Sequence, residues 1–199
     1  MRHFVSMLAA AVAVPLAARA INVGAPAPDF QAHDAAGKPV SLAALRGKTV
    51  VLEWTNNGCP FVGHMYSSGV MQRLQRQGAA EGVVWLTVIS SAPGKQGHLT
   101  GAQVPAWKAK VGTASADVLL DPSGAIGHAY DARTTPDMYV IDHEGRLVYA
   151  GAIDDNPSTH PADARTARNY VVDALADLKA GRPVAPAITK PYGCSVKYP

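Results

Sequence analysis

The sequence predicts an α/β domain, a mixed central sheet with helices on both faces, and three observations carry that prediction. Two short runs rich in apolar and β-branched residues, Thr49 to Trp54 and Val83 to Ile89, flank a stretch with helical period, the pattern of strand, helix and parallel strand. Two further runs, Met138 to Asp142 and Arg146 to Ala150, flank His143-Glu-Gly145 and read as an antiparallel hairpin. A last helical stretch, Pro161 to Lys179, carries Tyr170, Val171, Ala174, Leu175 and Leu178 on one face and is followed by Gly181.

The first twenty residues read as an export signal. Arg2 and His3 precede an uncharged apolar run from Phe4 to Ala18, and Ala18-Arg19-Ala20 has the small-x-small ending that predicts cleavage after Ala20. The run is shorter than the roughly 20 residues a spanning helix needs. The product is therefore expected to be periplasmic, with no membrane segment in its mature form. Removing Arg2 and Arg19 lowers the basic count from 18 to 16 against 15 acidic residues, so the formal charge falls from +3 to +1. With no run of like charge and no basic stripe among aromatics, nucleic acid is excluded as an expected partner. Roughly 180 mature residues suffice for one domain with a sizeable core. Its expected extent is 21–181, with a tail over 182–199.

In chain order, Asp29 to Asp34 reads as an edge strand, Ala35-Ala-Gly37 as a turn and Lys38 to Ser41 as the returning strand. Ser41 to Arg46 reads as a short capped helix ended by Gly47. Thr49 to Trp54 is a central strand covered on both faces. Pro60 suits a first helical position, and Val62, Tyr66, Val70 and Leu74 predict one helix running to Gly78. After the second central strand, Ser90 to Gly101 is glycine-rich and polar; it reads as a solvated loop or as a mobile lip over a site. Val104 to Lys110 predicts a helix, Asp117 to Leu120 a short strand, and Ser123 to Tyr130 another helical turn. The order is strand-helix-strand, then strand-strand-helix, with an insertion between the halves. That is the thioredoxin order, expected as a three-layer α/β/α fold with an N-terminal hairpin, a mid-chain insertion and an extended C-terminal tail.

Chemistry points to Cys59, in the junction Trp54-Thr-Asn-Asn-Gly-Cys-Pro-Phe-Val62 between a strand and a helix. A cysteine at a helix start faces unpaired backbone N–H groups and the positive end of the macrodipole, which favour the nucleophilic thiolate. A small buried hydrophobe or half of a structural bridge is the alternative reading. The chain holds one other cysteine, Cys194 in the tail, so a disulfide within one chain must join these two. His64 lies five positions beyond Cys59, about 140° round a helix, and is not placed to pair with the thiolate. Thiolate and imidazole from Cys59, His64 and His98 suit copper or zinc, but no ligand-spaced pair exists and no metal is expected. Asp154 and Asp155 precede Asn156-Pro157 and read as turn caps or an acid–base pair.

Three segments carry a family resemblance: Val23-Gly-Ala-Pro-Ala-Pro-Asp-Phe30 with Leu45-Arg-Gly-Lys48; Asn57-Gly-Cys-Pro-Phe-Val62; and Thr134-Thr-Pro-Asp-Met-Tyr-Val-Ile-Asp142. The segment Tyr149 to Asp155 and the Gly193-Cys-Ser-Val-Lys-Tyr198 tail extend it over nearly the whole mature chain. Together they resemble a secreted, thioredoxin-like redoxin of the alkyl hydroperoxide reductase and thiol-specific antioxidant superfamily. The resemblance implies Cys59 as the attacking thiol, a cis bond before Pro136 facing it, and a Thr135 backbone that receives an extended chain. Thr55, Asn56, Asn57, Gly58 and Pro60 form the rest of the expected shell. Departures bear on mechanism. Val62 stands where a dithiol thioredoxin has its second cysteine, and Leu52 and Asn56 stand where peroxiredoxins have proline and threonine. Thr55, displaced by one position, and Asn56 are candidates to hydrogen-bond a peroxide oxygen or the thiolate, or to tie the loop.

Two functions follow as expectations. In one, the chain is a periplasmic thiol oxidoreductase in which Cys59 attacks a peroxide or disulfide substrate and Cys194 resolves the product, with an external dithiol reductant and no bound cofactor. In the other it is a non-catalytic binding or metal-delivery module in which a structural Cys59–Cys194 bridge holds the tail. The sequence sets no oligomeric state.

Overall fold

The computed structural model describes residues 21–199. The expected export signal and its cleavage point lie outside the described residues. No helix among the described residues is long and apolar enough to cross a membrane.

The chain opens with a small antiparallel hairpin, β1 (Gln31–His33) and β2 (Pro39–Ser41). Asp34 holds its turn: one carboxylate oxygen accepts the N–H groups of Ala36 and Lys38 at 2.9 and 2.8 Å. The helix expected after Ser41 is a single 3-10 turn, Ala43–Leu45.

The next elements are β3 (Val50–Trp54), α1 (Pro60–Ser67), α2 (Val70–Ala80), β4 (Val84–Ile89), α3 (Val104–Val111), β5 (Asp117–Leu120) and α4 (Ala125–Ala129). Then come β6 (Thr134–Thr135), β7 (Asp137–Ile141), β8 (Leu147–Gly151), α5 (Pro161–Ala164), α6 (Tyr170–Lys179) and β9 (Cys194–Ser195). The central sheet has the order β5-β4-β3-β7-β8. β3 runs parallel to β4 and antiparallel to β7, so the sheet is mixed as expected.

Alternation along β3 divides the core. Val51 packs with Met65, Met71, Val171 and Ala174 from the helices of one face, whereas Val50, Leu52 and Trp54 pack with Ile126, Tyr130 and Leu147 on the other. Glu53 shares the first face and is fully buried. Its carboxylate accepts the Tyr66 hydroxyl at 2.8 Å, the Gln75 amide at 3.0 Å and the Trp85 indole N–H at 2.7 Å, tying α1 and α2 to neighbouring strands β3 and β4 of the sheet. Burial outweighs those bonds and raises its pKa. The result is the thioredoxin fold that the element order predicts.

Three expectations need correction. The single helix over Pro60 to Gly78 is two, because Gly69 adopts φ +79°, which ends α1 and begins α2. Gly78 does not stop the second; it is buried inside α2, where a Cβ would lie 3.5 Å from that of Val83. The single helix over Pro161 to Lys179 is likewise divided, with Asn169 capping α6. Finally, the tail, expected only as an extended segment outside the domain, forms β9 and pairs antiparallel with β6.

Candidate functional site

β3 ends at Trp54, and the backbone then turns at the C-terminal edge of the sheet. Cys59 is the N-cap of α1 with extended φ −87° and ψ 122°, and Pro60 takes the first helical position. Asn56 builds the turn before it. Its side-chain oxygen accepts the Gly58 N–H at 2.8 Å, its amide donates to the Gln96 carbonyl at 3.1 Å, and its own carbonyl accepts the Cys59 N–H at 3.0 Å. Gln96 closes the ring by donating to the Gly58 carbonyl at 3.0 Å. Asn56 is therefore spent on the loop. The Thr55 hydroxyl is buried and has no partner among the described residues, while Asn57, Gly58 and Pro60 are exposed.

Gln96 belongs to the Ser90 to Gly101 loop, which is thus a wall of the site and not a free solvated loop. No spacing in the sequence singles it out, because a glutamine in a polar loop has no periodic signature. His98 is bonded within that loop, its Nδ1 lying 2.9 Å from the Ser91 carbonyl oxygen.

The second wall is the segment before β7. The Thr135–Pro136 bond is cis, and the Thr135 carbonyl accepts the Cys59 thiol at 3.1 Å. The tail supplies the third wall. Cys194 lies opposite Thr135 in the β6–β9 ladder, and its carbonyl accepts the Thr135 hydroxyl at 3.4 Å. Both cysteines are free thiols, and Cys194 packs against the core cluster that contains Cys59. Cys59 is 2% exposed, whereas Cys194 is only half-buried.

This geometry separates the two thiols electrostatically. Burial pushes the Cys59 thiol up, but hydrogen bonds from the Cys194 thiol, the Thr135 side chain and the Val62 N–H together outweigh it and bring the pKa below the ordinary value. Cys194 is pushed up to about 11, by burial first and then by the hydrogen bond with Cys59 and its charge. These opposite shifts make Cys59 the more acidic thiol of the two.

Sequence reading missed Tyr192 as part of this site and did not place Asp154 beside it. Tyr192 donates its hydroxyl to Asp154 and sets its ring edge-on to Phe61 at 5.9 Å. Asp154, 2% exposed, also accepts the Asn156 N–H at 3.0 Å, and burial raises its pKa. Asp155 accepts the Arg168 N–H at 3.0 Å, so both carboxylates are engaged with turn backbone. His64 is buried, with neither ring nitrogen bonded to the described residues. Among the described residues no three His, Cys, Asp or Glu side chains gather to hold a metal ion.

A model of the AhpC/TSA family matches residues 23–150. Among solved structures the chain is similar to an uncharacterized conserved protein from Geobacillus kaustophilus, at 26% identity and TM-score 0.76 over 90% of this chain and 93% of that one. It is similar to a hypothetical protein from Sinorhizobium meliloti 1021, at 26% identity and TM-score 0.72 over 91% of this chain and 97% of that one. The exposed lipoprotein thioredoxin of Streptococcus pneumoniae is a shorter match, at 28% identity and TM-score 0.50 over 62% of this chain and 87% of that one. No curated protein matches the chain in sequence.

Proposed function

The chain belongs to the AhpC/TSA family, and from that premise we propose that it is an extracytoplasmic thiol oxidoreductase with Cys59 as nucleophile and Cys194 as resolving thiol. The observation that carries this reading is that both cysteines meet at Thr135, whose carbonyl accepts the Cys59 thiol and which lies opposite Cys194 in the β6–β9 ladder. They are 135 positions apart in sequence, yet the tail delivers one to the other.

With a peroxide, the Cys59 thiolate attacks one oxygen, the O–O bond breaks, and the departing alkoxide or hydroxide takes a proton. Cys59 becomes a sulfenic acid. Cys194 then attacks the Cys59 sulfur, a disulfide forms, and the hydroxyl leaves as water with the Cys194 proton. With a disulfide substrate, the thiolate instead forms a mixed disulfide and releases one substrate thiol, and Cys194 displaces the other. In both cases an external dithiol donates two electrons to reopen Cys59–Cys194. The unspent Thr55 hydroxyl is the candidate left to hydrogen-bond a peroxide oxygen, because Asn56 is engaged with Gly58 and Gln96.

Turnover of hydrogen peroxide and of an oxidised dithiol by the parent, Cys59→Ser and Cys194→Ser tests the reading. Cys59→Ser is expected to abolish both activities, and Cys194→Ser to allow the first step and block the cycle. Full activity of Cys59→Ser would overturn it. The reduction potential separates a working pair from a purely structural bridge, which is expected below about −300 mV.

The working unit in this reading is residues 21–181, and 182–199 is the tail that serves it. Export rests on the Ala18-Arg19-Ala20 ending, and the similar pneumococcal protein is itself an exposed lipoprotein. Intact mass of the exported protein is expected to begin at Ile21; retention of Met1 would remove the periplasmic assignment.

A further inference from the structure

The tail does more than bring a sulfur atom. β9 occupies the two-residue edge of β6, with Thr134 opposite Ser195 and Thr135 opposite Cys194. Anchors lie on both sides. Before Cys194, the Tyr192 hydroxyl donates to Asp154 and the ring packs on Phe61. After it, the Val196 N–H donates to the Arg133 carbonyl at 3.0 Å and the Ala92 N–H to the Lys197 carbonyl at 2.8 Å. Tyr198 then donates to the Ala132 carbonyl at 2.7 Å and stacks on His128 with ring centroids 4.0 Å apart.

Between these anchors stands Gly193, with φ +126°, a conformation L side chains rarely adopt. A Cβ there would overlap the Thr135 carbonyl oxygen and stand 2.8 Å from its carbonyl carbon. That oxygen is the one that accepts the Cys59 thiol. The same close seating recurs where the tail crosses other glycines. A Cβ on Gly127 would lie 2.6 Å from the Tyr198 ring, and one on Gly151 would lie 2.8 Å from the Thr189 carbonyl carbon. The body is shaped to this segment along several contacts, and the tightest approach of backbone to backbone lies beside the reactive sulfur.

We propose that Gly193 is a positioning residue that sets Cys194 on Cys59, and that the tail it seats is a tethered occupant of the Thr134–Thr135 edge. An extended polypeptide then reaches Cys59 only after the tail has left. The positioning half rests on the reading of Cys59 and Cys194 as a working pair; the occupancy half does not.

The test uses the full chain with Gly193→Ala, alone and in a Cys194→Ser background. In the single variant, non-reducing peptide mapping after one equivalent of hydrogen peroxide is expected to show Cys59–Cys194 forming at least tenfold more slowly than in the parent. In the Cys194→Ser background, Gly193→Ala is expected to raise the rate of Cys59 labelling by a maleimide-bearing ten-residue peptide at least tenfold. Tyr192→Phe, which removes the bond to Asp154 and keeps the ring, is expected to move both rates the same way by less. Rates within twofold of the parent in Gly193→Ala and Tyr192→Phe would overturn the proposal. If peptide labelling rises as expected but no variant, the parent included, forms the disulfide with peroxide or an oxidised dithiol, then the working-pair reading and the positioning half fall while occupancy of the edge stands.

Discussion

At Cys59 the helix start and the tail act in the same direction against burial. The Val62 N–H, the Thr135 side chain and the Cys194 thiol all favour the thiolate, and the low exposure of the sulfur opposes it. The Cys59 alkylation midpoint is therefore expected below the ordinary thiol value of about 8.5 in Cys194→Ser, whose hydroxyl still donates. It is expected to move up in Cys194→Ala, which removes that donor. Iodoacetamide rates against pH give both midpoints, and a value at or above 8.5 in the serine variant would refute the account. Asp137 makes the opposite case. Burial raises its pKa to about 7, although the Arg133 N–H and the Tyr139 hydroxyl both donate to its carboxylate. In the unfolded chain the same group ionises near 3.8. Between those values the folded state binds the extra proton, so this contribution is full below about pH 4 and is lost as pH rises toward 7. Asp137→Asn keeps an acceptor for both donors and removes the charge. It is expected to flatten the fall in stability between pH 4 and 8 by a few kcal/mol, read from urea unfolding at each pH. An unchanged pH profile would show that Asp137 ionises normally in the fold.

At the scale of elements, apolar period alone overruns helix ends. Val62, Tyr66, Val70 and Leu74 recur at helical spacing straight across Gly69, but that glycine adopts φ +79° and the chain changes direction there. The second break is set by a cap. The Asn169 side chain accepts the N–H groups of Val171 and Val172 at 3.1 and 3.0 Å, so α6 begins at Tyr170 and not at Pro161. Asn169→Ala is expected to destabilise the fold by about 1 kcal/mol, and Asn169→Asp by much less, since a carboxylate caps and complements the helix dipole. The urea midpoint with an unchanged m-value checks this. Equal effects of the two substitutions would argue that Asn169 acts through something other than the cap. β9 illustrates the reverse difficulty. A two-residue strand has no period to detect, and its place is set by Tyr192, Tyr198 and the β6 edge.

Across the whole molecule, the tail brings the second thiol to the turn that holds Cys59. Joining residues 135 positions apart restricts the unfolded chain strongly, so the oxidised protein is expected to be more stable than the reduced one by up to about 4–5 kcal/mol in the chain-entropy model. Guanidinium unfolding of the two redox forms measures the difference. Equal stability would mean that strain in the bridged state cancels the entropy gain, contrary to the seating of Cys194 on Cys59.

What the sequence determined by itself was local or periodic. Beyond the facing turn at Thr135-Pro136, which only the family resemblance supplied, β-branched runs located β3 and β4, and Pro60 and the preceding strand put Cys59 at a helix start. These follow from the sterics and hydrogen bonding of neighbouring residues, which a linear string records. The partners of those groups did not. That Asn56 and Gln96 lock the loop, that Glu53 gathers three donors, and that the Thr135 carbonyl meets the Cys59 thiol are contacts between segments 40, 32 and 76 positions apart at their widest. Only the tertiary structure decided them, because close approach depends on how layers pack and on the space that residues such as Gly193 leave between two backbones.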